Sequence, residues 1–200
     1  MSDSVVDLFW DSNVLARFLT EVPPDYLPDI NQYILDSRAK KCRIWISTLL
    51  YAEVRPSQLK QKNYDNVLDL INALEGSCIP IGPTPPILLR AARLRDYSYR
   101  SASPQKGEKT RVLTVPDSIH LATCLHVKEA RKRQDIVFHT FDDGKGRNYE
   151  EKAVSLLRYH EYATHLQDDL DVVAVCNLTR QRPQHPLPSL DLPYPPDKAA

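Results

Sequence analysis

A chain of 200 residues, 42% of them hydrophobic, can close one core of ordinary size and scarcely two. Its 26 basic and 26 acidic residues cancel, so bulk charge announces no nucleic-acid partner, and any such attraction must come from local patches. No apolar run approaches the roughly 20 residues of a membrane span, no basic-then-apolar leader opens the chain, and four scattered cysteines without a CxxC pair speak against zinc; the expectation is a cytoplasmic protein with free thiols and no membrane partner.

Strand-like and helix-like segments alternate, which predicts an α/β fold: a three-layer α/β/α sandwich with a mainly parallel central sheet. Val5 to Trp10 reads as the first strand, and Asn13–Leu19 and Pro28–Arg38 as helices separated by Pro23 and Pro24. Ile44 to Ile46 forms a second buried strand, after which Ser47 or Thr48 can cap a helix. Gln58–Glu75 carries apolar residues at helical spacing with Gly76 as its stop, and Cys78–Ile81 is a third strand. Pro86 opens another helix through Asp96, and from Ser98 to Thr110 the pattern gives way to a polar, basic loop. Pro116 starts a helix to about Lys132 that is apolar on most sides, and so central. Ile136–Phe138 is a fourth strand ending at Thr140, Glu150–Leu166 a further helix, and Val172–Val175 a last strand. Residues 1–180 therefore form the domain, and 181–200, rich in proline, an extended or disordered tail.

The informative feature is where the acids fall. In an open parallel sheet, ligands bind beyond the carboxyl ends of the strands. Asp11 ends the first strand, Glu53 lies in the helix after the second, Asp117 occupies the first turn of the helix before the fourth, and Asp142 and Asp143 follow the fourth. Carboxylates so placed suit Mg²⁺ or Mn²⁺, hard cations that want oxygen ligands and that activate water in phosphodiester cleavage. Each acid also has a plainer role open to it. Asp11 can cap the next helix, Asp117 fits a Thr114-x-x-Asp helix start, and Asp142-Asp143-Gly144 can be turn chemistry; Glu53, among Leu49, Leu50 and Val54, is harder to explain as a solvated charge.

Four segments in order, Asp11-Ser12-Asn13-Val14-Leu15, Ser47-Thr48-Leu49-Leu50-Tyr51-Ala52-Glu53-Val54, Asp117-Ser118-Ile119-His120-Leu121-Ala122 and Thr140-Phe141-Asp142, resemble the successive signatures of PIN domains; Leu94-Arg95-Asp96-Tyr97 resembles that family's middle helix. The resemblance spans Val5 to Val175 and looks closest to VapC-type toxins. It implies an Mg²⁺- or Mn²⁺-dependent endoribonuclease, the toxin of a toxin–antitoxin pair, homodimeric and silenced by an antitoxin protein. It makes Asp11, Glu53, Asp117 and Asp142 the catalytic, metal-holding acids, with Asp143 as a further ligand and Asn13 and Thr140 as groups that orient them. The long basic loop, the extra segment after Asp143 and the proline-rich tail depart from a minimal toxin. A non-catalytic PIN-like RNA- or protein-binding module and a housekeeping RNA-processing nuclease stay open as alternatives.

Other constellations fit less well. A haloacid-dehalogenase-type phosphatase needs a second acid where Asn13 stands, and there is neither a phosphate-cradling glycine loop nor a GxSxG elbow. Around the basic loop Arg100, Lys106, Lys109 and Arg111, interleaved with Tyr97 and Tyr99, can hold RNA through phosphate contacts and base stacking, or can be a solvated connector. His120 is read as a partly buried helix residue and His139 as structural, on the strand face opposite Thr140.

Overall fold

In a computed structural model, residues 5–100, 110–132, 135–144 and 153–186 are described. The strands β1 (Val6–Trp10), β2 (Cys42–Ser47), β3 (Cys78–Ile81), β4 (Val137–His139) and β5 (Thr179–Gln181) form one sheet of order β3-β2-β1-β4-β5, parallel throughout. Strand β1 is β-branched and aromatic, and its side chains alternate between faces. Phe9 joins Trp45 and Phe138 in one buried cluster, and Leu8 and Trp10 join Ile44 and Ile46 in another.

Helices cover both faces. Against Leu8 and Trp10 pack α1 (Ser12–Thr20), α2 (Leu27–Arg38), α4 (Pro56–Gln61) and α5 (Val67–Leu74), with the short α3 (Leu50–Glu53) supplying Leu50. Against Phe9 pack α6 (Pro85–Asp96), α7 (Val115–Ala130), α8 (Tyr159–Tyr162) and α9 (Leu170–Cys176). The arrangement is compatible with a three-layer sandwich. The central helix α7 is buried without interruption from Ser118 to Leu125, so it has no solvent stripe along that stretch. Truncating an interior ring such as Phe138, fully buried between the layers, carries a cost of about 3–5 kcal/mol.

Three expectations are corrected. Gln58–Glu75 is not one helix: the chain turns at Asn63, whose φ is +57°, and Asn66 caps a new helix by accepting from the Leu68 N–H at 2.7 Å. Val172–Val175 is helical rather than extended, because Asp169 caps α9 through the Val172 N–H at 2.9 Å and Val172 and Val175 bury one helical face. The last strand is Thr179–Gln181 instead. In the described part of the Glu150–Leu166 stretch only Tyr159–Tyr162 is helical, while Ala153 bridges in parallel to Val112. After β5 the chain stays against α2: the Tyr33 hydroxyl donates to the Gln184 carbonyl at 2.8 Å and the His185 N–H donates to Asp29 at 2.8 Å.

A part-buried ion pair braces the sheet. Asp7 on β1 receives two hydrogen bonds from the Arg43 guanidinium, at 2.7 and 2.8 Å, and one from the Trp45 indole at 2.8 Å, both on β2. The four cysteines are free thiols, and among the described residues no helix is long and apolar enough to cross a membrane.

Candidate active site

Because β2 lies on one side of β1 and β4 on the other, the chain reverses its direction of progress across the sheet between β1 and β4. At such a switch point the loops leaving two neighbouring strands diverge and open a crevice. Asp11 leaves β1 there, still bonded to the ladder through its N–H to the His139 carbonyl at 3.0 Å, and Thr140 leaves β4. A cavity of about 420 Å³ opens above them, lined among others by Asp11, Asn13, Glu53, Asp117, Asp142 and Asp143.

Asp11 is the deepest acid, 2% exposed. One oxygen caps α1 by accepting from the Ser12 N–H at 2.8 Å; the other accepts from Asn13 Nδ2 and from the Thr140 hydroxyl, both at 2.7 Å. Asn13 Nδ2 also reaches the Thr140 oxygen at 3.0 Å, and Asn13 Oδ1 accepts from the Phe141 N–H at 2.9 Å, so this amide ties the ends of β1 and β4 together. Asp117 sits in the first turn of α7. The cap residue Thr114 accepts from the Asp117 N–H at 3.2 Å and donates its hydroxyl to the Asp117 carboxylate at 2.5 Å. In Asp142 one oxygen accepts from the Gly144 N–H at 2.9 Å and the other from the Leu156 N–H at 3.0 Å. Gly144 has a φ of +79°, and a Cβ there would stand 3.0 Å from that of Ser155, so glycine is required. Asp143 lies at the rim, with Arg182 3.5 Å away. The turn and cap roles weighed for Asp11, Asp117 and Asp142 are thus realised, and the same carboxylates also face one cavity.

His120 belongs here too, which the sequence reading set aside. It follows Asp117 by three residues and is fully buried; its Nε2 lies 2.7 Å from a Glu53 oxygen and 3.9 Å from Asp11. A signal was present: a histidine three positions after a first-turn acid shares that acid's helix face. Of the basic candidates, Arg100 is exposed, whereas the Arg111 guanidinium donates to the Ala153 carbonyl at 3.2 Å and lies 5.2 Å over the Tyr162 ring. Lys106 and Lys109 lie outside the described residues.

The electrostatics are those of crowded, dry carboxylates. Burial raises the pKa of Asp11, against the lowering effect of His120 and the Thr140 hydrogen bond. Burial, then Asp11 and Asp142, push Asp117 up to about 7. Burial raises Asp142 as well, opposed by its two backbone donors. For His120 burial disfavours the charged ring, yet Glu53, Asp11 and Asp117 together outweigh it and the pKa is raised. Where these carboxyls ionise, the pocket favours cations over anions and repels a bare phosphate unless a cation comes with it.

As donors, carboxylates fit a hard divalent cation. Their present geometry is not that of a filled centre: among the described residues no three His, Cys, Asp or Glu side chains are drawn together closely enough to hold a metal ion. Each acid is instead turned to a protein partner, Glu53 to His120, Asp117 to Thr114 and Asp142 to backbone N–H groups. No protein-family model matches the chain, and no curated protein matches it.

Proposed function

We propose that the protein is an Mg²⁺- or Mn²⁺-dependent endoribonuclease of PIN type, acting in the cytoplasm as the toxin of a toxin–antitoxin pair. The observation that carries the reading is a single one: Asp11, Glu53, Asp117 and Asp142, spread over 132 positions of the chain, line one cavity at the switch point of a parallel sheet. Asp11, Glu53, Asp117 and Asp142 would hold the ion, with Asp143 at the rim. A bound divalent ion supplies an activated water and neutralises charge on the attacked phosphate. The chain's own groups orient: Asn13 and Thr140 hold the position of Asp11, the Thr140 hydrogen bond opposes the burial that raises its pKa, and His120 holds Glu53. No side-chain nucleophile is needed. Raised carboxylate pKa values support this: burial first, and neighbouring carboxylates after it, penalise the negative charge of the empty site, and a bound cation would offset that penalty. RNA is the substrate partner, an antitoxin protein the inhibitor, and a homodimer the working form, as the PIN resemblance implies.

One observation favours a second reading, a PIN-like module that binds RNA or protein without turnover: every acid already has a protein hydrogen-bond partner. A housekeeping RNA-processing nuclease would share the chemistry of the first. Incubation of the pure protein with RNA, in excess EDTA and after adding Mg²⁺ or Mn²⁺, separates turnover from binding. Cleavage that needs the metal and is lost in Asp117→Asn is expected. Cleavage undiminished in EDTA defeats the metal mechanism, and binding without cleavage in either metal selects the module.

A further inference from the structure

Beside the acidic cavity, behind Phe141 on its wall, stands a stack of flat groups. Arg17 follows Asn13 by four residues, so both stand on the same face of α1. The Arg17 guanidinium carbon lies 3.7 Å from the centroid of the Phe141 ring, and its Nη1 donates to the Asp25 carbonyl at 3.1 Å, which fixes the plane. Tyr26 meets the same ring edge-on, centroids 5.5 Å apart at 64°. Phe141 lines the cavity itself, and through Asn13 its backbone is one side chain removed from Asp11. A second cation stands on this flank: Arg182 is 3.5 Å from Asp143 at the rim, and after burial its charge contributes to lowering the Arg17 pKa, with Asp25 opposing.

We propose that this flank is the subsite for an unpaired nucleobase adjoining the phosphate that enters the acidic cavity. The base stacks on the Arg17 guanidinium, which Phe141 backs, while the strand's phosphate meets Arg17 and Arg182. The proposal rests on the ribonuclease reading of the neighbouring acids. Its chemistry is specific: a planar cation backed by an aromatic ring offers a face that every base can use, and an ammonium does not. Bases inside a duplex expose no such face, so the subsite selects single-stranded loops and ends over helices. A cation pair also offsets the repulsion that the acids exert on the approaching backbone.

The probe is a short single-stranded oligoribonucleotide carrying 2-aminopurine at one position at a time, mixed with the whole protein in EDTA so that binding is read without cleavage. Anisotropy reports affinity and 2-aminopurine quenching reports stacking. Wild type is expected to quench at one or two adjacent positions. Phe141→Leu should weaken binding by roughly ten-fold and abolish the quench. Arg17→Lys, which keeps the charge and is the gentler change, should abolish the quench while weakening binding less. Arg182→Ala should leave the quench and reduce the salt slope by about one. If both stack variants, shown folded by circular dichroism, quench and bind as wild type does, the stack is only a brace; the subsite falls and the ribonuclease reading stands. If wild type binds no RNA either in EDTA or with Ca²⁺ in place of Mg²⁺, both fall together.

Discussion

Asp117→Asn tests the site without needing a substrate. The wild-type carboxyl rises from 3.8 to about 7 in the fold, so between those values the native state binds a proton that the unfolded chain has released. Stability contributed at this position therefore falls as pH rises from about 4 to about 7 and is flat above. Three units at about 1.4 kcal/mol each set an upper bound of about 4 kcal/mol of destabilisation at pH 8. Asparagine is neutral at every pH, and its oxygen can still accept from the Thr114 hydroxyl that now bonds the carboxylate at 2.5 Å. What it loses is the charge at the start of α7, worth about 0.3–1 kcal/mol.

In EDTA at pH 8 the variant should therefore be more stable by about 1–3 kcal/mol, or several degrees in melting temperature for a chain of this size. At pH 4 the wild-type carboxyl is largely protonated in the fold, and the two proteins should melt within about a degree or two of each other. Adding Mn²⁺ at pH 8 should close or reverse that gap. An ion at 100 times its Kd stabilises the wild type by about 2.7 kcal/mol and the ligand-deficient variant by much less. Thermal melts at the two pH values, each with EDTA and with Mn²⁺, supply all the arms. A variant less stable than wild type at both pH values, with the same response to Mn²⁺, means that Asp117 serves only its helix and does not belong to a metal centre.

Four more outcomes are expected. His120→Ala leaves Glu53 without its 2.7 Å partner; kcat for cleavage of a defined oligonucleotide should fall roughly 10- to 100-fold with KM little changed, and an unchanged kcat removes His120 from the site. Asp7→Ala strips the bidentate partner from the half-buried Arg43 and a partner from the Trp45 indole, and should cost about 1–3 kcal/mol in denaturant unfolding while activity per folded molecule holds. Replacing Arg100, Lys106, Lys109 and Arg111 by alanine should lower both RNA affinity and its salt slope. Arg111→Ala alone should chiefly lower the melting temperature, because its guanidinium serves the Ala153 carbonyl and the Tyr162 ring.

Much of the fold was legible because its signals are local. The β-branched and aromatic run Val5–Trp10, the proline openings at Pro86 and Pro116, and the Thr114 cap each act over one or two turns of chain. The misreadings have local causes too. Val172 to Val175 carries three valines, which favour strands, and an Asp169 cap that bonds one N–H outweighed them. The Gln58–Glu75 periodicity survives a break at Asn63 because both helices turn their apolar sides to the same cluster, through Leu59, Leu70 and Leu74.

The site was legible for a different reason. An acid immediately after a strand must lie at that strand's carboxyl end whatever the order of strands, so Asp11 and Asp142 could be assigned to one rim before the sheet was known. What could not be read was adjacency. Only pairing of β1 with β4 brings Thr140 within 2.7 Å of Asp11, and nothing local distinguishes that order from one with a strand between them. His120 and His139 show the same limit. Both are fully buried histidines, yet one meets Glu53 and is driven toward its charged form, while the other lies beside Tyr33 on the far face of the sheet, where burial lowers its pKa to about 4. Identical side chains in similarly dry surroundings shift in opposite directions because one stands on the face of α7 that carries Asp117 and the other points away from the acids. The position of a histidine in the chain says little about its chemistry until the layer it enters is known.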